Sequence, residues 1–252
     1  MTSYNKSPYQ KIPQDLYNRY SMNGKVTIFD WYINESVPNG VSWTNEEIQN
    51  YITRFTAYNI KNNKEGVSSY GNETCNNLLN AFEKYDIKNK KVAVVGSQKP
   101  WIEAMLLNFN NDVTTIEYNV PQCHFNCLTC KDYFNFFEKN YKTFDAIITY
   151  SSIEHSGLGR YGDPLDPDGD LKTMSVIHNN LIDNGILIWG EPVGKDALSW
   201  NAHRIYGPIR LPFIFKGFNE LEWFGKSKDE LFNQPLQNDS YNPVVVLKKE
   251  LT

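Results

Sequence analysis

No run of 18 consecutive apolar residues occurs in the chain, so the length of apolar helix that crosses a bilayer is missing. The start, MTSYNKSPYQKIPQ, has no hydrophobic stretch after its few charges of the kind a secretion signal carries. A soluble, cytoplasmic protein with no membrane span is the expectation. Cysteine is scarce, with 4 in 252 residues, too few for a disulfide framework and consistent with a reducing compartment. Positive charge is short as well: 25 Lys and Arg stand against 29 Asp and Glu, for a net charge of −4, and the basic residues are scattered. Duplex nucleic acid is therefore disfavoured as the main partner, because binding phosphates needs concentrated positive charge. There is no internal repeat and no G-x-G-x-x-G fingerprint.

What is present is a core-sized apolar fraction of 40%, enough for one folded domain, and an aromatic share of 14% that serves either a core or stacking surfaces. Residues 1–60 read as an N-terminal arm and a helix that pack on or cap the core, and 61–252 as the main domain. Within the arm only VTIFDWYI (26–33) is strand-like. Thr44 with Glu47 forms a capping-box pattern ahead of Ile48, Tyr51, Ile52 and Phe55, which predicts a helix over about 45–60. A second helix is predicted from Glu73 to Tyr85, with Leu78, Leu79 and Phe82 on one face. It leads into KVAVVG at 91–96, an unbroken apolar run of the kind a strand covered on both sides requires.

Strands and helices then alternate: helix 99–109, strand 113–117, an edge element near 125–129, helix 131–140, strand 144–150, helix 170–182 and strand 185–190. This order predicts an α/β fold with a Rossmann-like, doubly wound and mostly parallel sheet. Late in the chain, 217–224 and 243–249 are strand-like with no clear amphipathic helix between them, as expected of an antiparallel pair at the sheet edge.

Ligands in such sheets bind beyond the carboxyl ends of the strands, which singles out four places. After the first strand, Gly96-Ser97-Gln98-Lys99-Pro100 offers a glycine for close backbone approach and a proline for the first helical turn, or else a simple tight turn. The second strand ends at Glu117, about 20 residues beyond Gly96, where an acid can accept bonds from a ribose or stand solvated. The next strand delivers Ser151, Ser152, Glu154 and His155. Glu and His there suit acid–base work or metal ligation, or a helix cap and a structural imidazole. Downstream, Arg204 and Arg210 could hold a phosphate or carboxylate on the substrate, or remain solvated.

Two other patterns compete. Cys123, Cys127 and Cys130 have the spacing that radical S-adenosylmethionine enzymes use for an iron–sulfur cluster, and Gly190-Glu191-Pro192 resembles their Gly-Glu-Pro segment. Too few strand–helix alternations follow Cys130 for the barrel such enzymes use, so part-buried free thiols are expected. The acids Asp163, Asp166, Asp168 and Asp170 invite a calcium loop, but Gly169 is misplaced and Ile177 stands where the bidentate Glu of an EF-hand would fall. They read better as turn and capping residues. No metal site is assigned.

The segments FDAIITYSSIEHSGLGRYGDPLDPDGDLKTM, NNLIDNGILIWGEPVGKD and NAHRIYGPIRLP closely resemble the domain of unknown function 268 family, over roughly 70–225. That family is similar to class I S-adenosylmethionine-dependent methyltransferases. The resemblance implies a seven-stranded sheet with an antiparallel last strand, S-adenosylmethionine as cofactor and S-adenosylhomocysteine as product. It implies that Gly96, Ser97 and Gln98 lie beside the methionine part of the cofactor, Glu117 at the ribose, Tyr118 near the adenine, and Ser151 and Ser152 under the sulfonium. The first loop departs from the class by lacking its acid and most of its glycines.

Glu154-His155 is similar to a Glu-His pair in small-RNA 2′-O-methyltransferases that bind magnesium; those have a further Glu where this chain has Ser151, so magnesium has no support. His155 is the expected base, with Glu154 beside it and His203 as second choice. The loop from Ser156 to Gly169, with Arg160 and Tyr161, and the arginines Arg204 and Arg210 are expected to meet a small-molecule acceptor, a sugar or nucleotide-sugar as leading class. The rivals are a methyltransferase-fold binding module without catalysis and a radical enzyme built on the three cysteines.

Overall fold

The computed structural model describes residues 9–35, 41–63, 70–133 and 141–250. The apolar run at 91–95 forms β2 (Lys91–Val95) in the middle of a sheet. It pairs in parallel with β3 (Asp112–Glu117) on one side and β5 (Phe144–Tyr150) on the other. The register sets Val95 opposite both Ile116 and Thr149, so three strands end level. β4 (Leu128–Asp132) lies outside β3, and β6 (Leu181–Gly190) runs parallel to β5.

β10 (Val244–Lys249) is antiparallel to both β6 and the outer strand β9 (Phe218–Phe224). The order is β4-β3-β2-β5-β6-β10-β9, a doubly wound order with its last strand inserted antiparallel. The late pair expected at the edge is thus present, with the later strand placed inside the earlier one.

Burial follows the period-2 geometry of strands. Val92, Val94, Ala146, Ile148 and Val246 pack into one apolar cluster, while Ala93, Val95, Ile147, Leu187, Val245 and Leu247 pack into another. Both faces are covered, which is why KVAVV shows no alternation. α4 (Gly71–Lys84) covers the first face with Leu78, Leu79 and Phe82, the face predicted. α5 (Trp101–Leu107) adds Ile102, Met105 and Leu106. On the second face lies α6 (Gly169–Asn180), through Met174 and Ile177. Burying each such side chain stabilises by roughly 1.5–3 kcal/mol.

The helix expected over 45–60 is two helices, α2 (Asn45–Arg54) and α3 (Ala57–Lys61). Thr56 starts the second by accepting from the Asn59 N–H at 3.2 Å, and the Asn59 side chain bonds the Thr53 and Arg54 carbonyls that end the first. Local capping outweighs the continuous apolar period. At Thr44 the cap is half made: Oγ1 accepts from the Glu47 N–H at 3.0 Å, while the Glu47 carboxylate pairs with Lys99 at 3.3 Å.

The N-terminal stretch read as an arm contains α1 (Gln14–Tyr20) and β1 (Thr27–Asp30). β1 pairs in parallel with β7 (Ala197–Trp200), which pairs antiparallel with β8 (His203–Ile205), making a second sheet of three strands. The edge element begins at Leu128, three residues later than expected for 125, because 125–128 is a tight turn with Cys127 at φ 62°. Of the helix expected over 131–140, residues 131 and 132 belong to β4 and 134–140 lie outside the described residues. Two short helices, α7 (Leu211–Ile214) and α8 (Lys228–Phe232), fall in the late region. Among the described residues no helix is long and apolar enough to cross a membrane.

Candidate active site

A cavity of about 620 Å³ opens at the carboxyl ends of β2, β3, β5 and β6, within the range of small-molecule sites. Its first wall is the turn after β2. Gly96 has φ +80°, and a Cβ there would lie 1.7 Å from Ser152 Oγ and 2.5 Å from Ser152 Cβ. The glycine therefore admits the neighbouring strand end as well as bordering the cavity. Replacing Gly96 with alanine should destabilise the fold by about 1–3 kcal/mol through left-handed strain plus overpacking. Gly24, at φ +80° with nothing within 4 Å, supplies the control: Gly24→Ala carries only the conformational cost of ~1 kcal/mol. Paired denaturation curves check the difference.

Glu117 closes this turn against β3. Its Oε1 accepts from the Ser97 N–H at 2.7 Å and its Oε2 from the Tyr118 N–H at 2.8 Å. Burial pushes its carboxyl above the ordinary value and those amides oppose the shift. With the Asn119 N–H also contributing, three of the roughly four acceptor positions of a carboxylate are engaged, which leaves room for a further donor. Tyr118 stacks on Tyr133 at 4.7 Å between centroids, and both rings border the cavity. Trp43 lies over the first loop, its Nε1 donating to the Gln98 carbonyl at 3.3 Å. Pro100 is the N-cap of α5, directly ahead of its first turn, and that helix has 7 residues.

The end of β5 turns sharply. Ser151 takes φ +49° and donates its N–H to the Gly190 carbonyl at 2.8 Å, and a single 3-10 turn, Ile153–His155, follows. His155 Nδ1 is 2.5 Å from the Ala202 carbonyl, a contact that requires the proton on Nδ1. His155 Nε2 lies 3.2 Å from Glu154 Oε1, which also accepts from Ser151 Oγ at 3.1 Å. Burial holds the imidazole below its ordinary value, Arg160 adds to this, and Glu154 opposes it. Glu154 is fully buried; burial alone would raise it, but His155 and a hydrogen bond from Glu191 bring it below the usual carboxylate range. Glu191, just past β6, is pushed well above its ordinary value by burial and then by the Glu154 charge. Its oxygens accept from Thr149 Oγ1 at 2.8 Å and the Ser152 N–H at 2.9 Å. Glu191 thus keeps its proton and donates it to an ionised Glu154. Both ring nitrogens of His155 thus lie beside oxygen acceptors, Nδ1 at the Ala202 carbonyl and Nε2 at Glu154 Oε1: a proton taken on Nε2 would be held there.

His203 borders the same cavity, its Nε2 3.0 Å from the Asn238 carbonyl and its ring 6.5 Å from that of His155. Arg160 and Tyr161 line the cavity too. The Arg160 guanidinium is held by Glu35 at 2.7 Å and lies 5.1 Å from the centre of the Tyr161 ring. Arg204 and Arg210, expected at the acceptor, are not among the lining residues. They are 3% and 6% exposed, and their donors are already engaged. Arg204 bonds the Ser156 carbonyl at 2.7 Å and the Pro167 carbonyl at 3.3 Å; Arg210 bonds Asp170 at 2.5 and 2.8 Å. Both serve the loop from inside.

The aspartate run divides likewise. Asp163 accepts from the N–H groups of Gly157, Gly159 and Tyr161, a turn role. Asp168 pairs with Arg19 at the surface, whereas Asp170 is a buried hub, 0% exposed. Cys123 and Cys130 meet, but Cys127 is exposed, and no group of three His, Cys, Asp or Glu able to hold a metal occurs among the described residues. Ser151, where the magnesium reading would require a further Glu, donates its hydroxyl to Glu154 Oε1.

Glu191, buried behind Glu154 and not itself a cavity-lining residue, is the residue the sequence reading set aside, as part of a Gly-Glu-Pro pattern. The position just past β6 obeys the same strand-end rule that picked out Glu154 and would have found it.

Among solved structures the chain is similar to the 1,6-didemethyltoxoflavin-N1-methyltransferase of Burkholderia thailandensis, determined with 1,6-didemethyltoxoflavin and S-adenosylhomocysteine. Identity is 11% over 87% of this chain and 98% of that one, with a TM-score of 0.50. It is also similar to an S-adenosylmethionine-dependent methyltransferase of Methanosarcina mazei, at 13% identity over 68% of this chain and 98% of that one, TM-score 0.48. At such identities the likeness shows the fold alone: it is that of the class I methyltransferases. No curated protein matches the chain. A sequence profile described as "Caenorhabditis protein of unknown function, DUF268" matches residues 89–249.

Proposed function

The chain belongs to the domain of unknown function 268 family, and from that premise we propose that it is an S-adenosylmethionine-dependent O- or N-methyltransferase acting on a small polar acceptor. A sugar or nucleotide-sugar is the leading acceptor class. The observation that carries the reading is the convergence of Glu117 and the Gly96 turn with the Glu154–His155 pair on one cavity. Glu117 suits a ribose, since both oxygens are fixed by backbone N–H groups and room remains for a further donor. Tyr118 would lie beside the adenine, Gly96 to Gln98 beside the methionine part, and Ser151 and Ser152 beneath the sulfonium.

When bound, S-adenosylmethionine supplies a methyl group on a good leaving group, so positioning and exclusion of water carry most of the rate. The chain's own contribution at the reacting centre is to take the acceptor's proton. His155 Nε2 receives it beside Glu154 Oε1, and Nδ1 stays fixed on the Ala202 carbonyl. Tyr70, Tyr150, Tyr161 and Tyr241 give the cavity aromatic walls beside Glu73 and Asp239; apolar faces next to hydrogen-bond acceptors suit a hydroxylated ring.

The pH dependence has a definite sign. Because the base form is the neutral imidazole and burial holds His155 below its ordinary 6.5, kcat/KM should be level at and above pH 7. It should fall with acid only below pH 6.5. A limb centred above pH 7 would remove His155 as the base.

The activity itself is tested by incubating the protein with S-adenosylmethionine carrying a labelled methyl group and a panel of sugars, amino-sugars and nucleotide-sugars. Label should move to one class of acceptor. Transfer to none of them, nor to any small molecule of a cell extract, combined with tight cofactor binding, would leave a binding module in its place.

A further inference from the structure

The cysteines that suggested a metal cluster make a different arrangement. Phe125 and Leu128 form an antiparallel bridge, with the Leu128 N–H donating to the Phe125 carbonyl at 3.2 Å. Cys123 and Cys130 lie two residues outward from that bridge on either side, so the antiparallel register sets them directly opposite on one face. Their sulfur atoms are 2.8 Å apart, nearer than two unbonded sulfur atoms normally pack. Both residues are partly exposed and within reach of a small thiol reagent. Cys127, at the tip of the turn, is exposed, and Cys75 is buried in α4.

We propose that Cys123 and Cys130 are a dithiol that a small-molecule disulfide converts reversibly to an intramolecular disulfide. Cross-strand partners of this kind approach the Cβ separation a disulfide needs. In the reaction one cysteine thiolate attacks glutathione disulfide, releasing glutathione and leaving a mixed disulfide. The second cysteine thiolate attacks the protein-side sulfur, releasing a second glutathione. Two thiol protons and two electrons leave the protein, and one glutathione disulfide is reduced to two glutathiones. Either sulfur can open the reaction, since the two lie side by side and both are partly exposed.

The bond would pin a segment that already bridges to the first loop. Gln122, next to Cys123, exchanges backbone hydrogen bonds with Val41 and Trp43, at 2.9 and 3.0 Å. Trp43 in turn covers Gln98. On the other side Cys130 is in register with Thr115 of β3, two residues before Glu117. Oxidation therefore ties the covering segment to the edge strand of the sheet, and this holds whichever reaction the cavity supports.

The test uses the full chain, reduced and then equilibrated in glutathione buffers stepped from fully reduced to fully oxidised. Peptide mapping without reductant should find one Cys123–Cys130 disulfide, reversed by dithiothreitol. Its formation should raise the melting temperature by on the order of 5 °C, as expected for closing a short loop in a chain of this size. Hydrogen exchange over 119–127 should slow in the oxidised form. Cys127→Ser should retain all three effects; Cys123→Ser and Cys130→Ser should abolish them. Glutathione adducts without an internal bond, a bond to Cys127, or no reaction in the fully oxidised buffer would overturn the proposal. The mapping on the unmodified chain decides it even where a serine variant fails to fold.

Discussion

Replacing His155 with alanine should lower methyl-transfer turnover by about 10²–10⁴-fold, the usual contribution of a positioned acid–base group, while leaving affinity for S-adenosylhomocysteine nearly unchanged. The separation follows from position. The imidazole hangs between the Ala202 carbonyl and Glu154 Oε1, whereas Glu117 is held by the Ser97 and Tyr118 N–H groups. Removing it also takes away the imidazole nitrogen 3.2 Å from Glu154 Oε1. Single-turnover rates and calorimetry on the same sample separate the two effects. Unchanged turnover on the true acceptor would take His155 out of the mechanism and leave His203, 6.5 Å away, as the base to examine.

Asp170→Ala should be the most destabilising single change, costing roughly 3–5 kcal/mol as expected when one partner of a buried ion pair is removed. Asp170 is the shared counter-charge of two buried guanidinia: Arg210 at 2.5 Å and Arg204 at 3.6 Å. It also accepts from the Tyr206 hydroxyl at 3.1 Å. With a typical total of about 5–15 kcal/mol, a loss of that size should lower the melting temperature by about 10 °C. The loop from Ser156 to Gly169 should loosen first, since Arg204 and Arg210 hold its carbonyls at Ser156 and Pro167.

The pH sign for this group is fixed. Burial would raise Asp170, but the two arginines and Tyr206 bring it below its ordinary 3.8. Its stabilisation is then fully present above pH 3.8 and is lost as pH falls through the lower folded value. Denaturant melts at pH 7 and pH 3 check this. A loss at pH 7 no larger than that of a surface substitution would contradict the hub.

The parallel half of the sheet was legible because strands covered on both faces do not alternate: VAVV in KVAVV and AII in FDAIITY are consecutive apolar residues. That Glu117 and the Glu154-His155 pair would meet at one cavity was legible because all three stand at strand ends. The small second sheet was not, since β8 is three residues long and the pairing of β7 with β1 spans most of the chain. Nor was the break at Phe55, where the Thr56 and Asn59 caps are invisible to a periodicity argument. Arg204 and Arg210 misled for a related reason. A pair of arginines near a loop of acids looks the same in sequence whether it faces a ligand or a buried carboxylate, and only the depth of Asp170 distinguishes the two.

Calorimetry with S-adenosylhomocysteine, on the unmodified chain and on Glu117→Ala, tests the central reading most directly. The unmodified chain should bind one equivalent, and the variant should bind more weakly by roughly 1–3 kcal/mol, the loss of a buried hydrogen-bond partner. Absence of binding to the unmodified chain would contradict the assignment of this cavity to the cofactor.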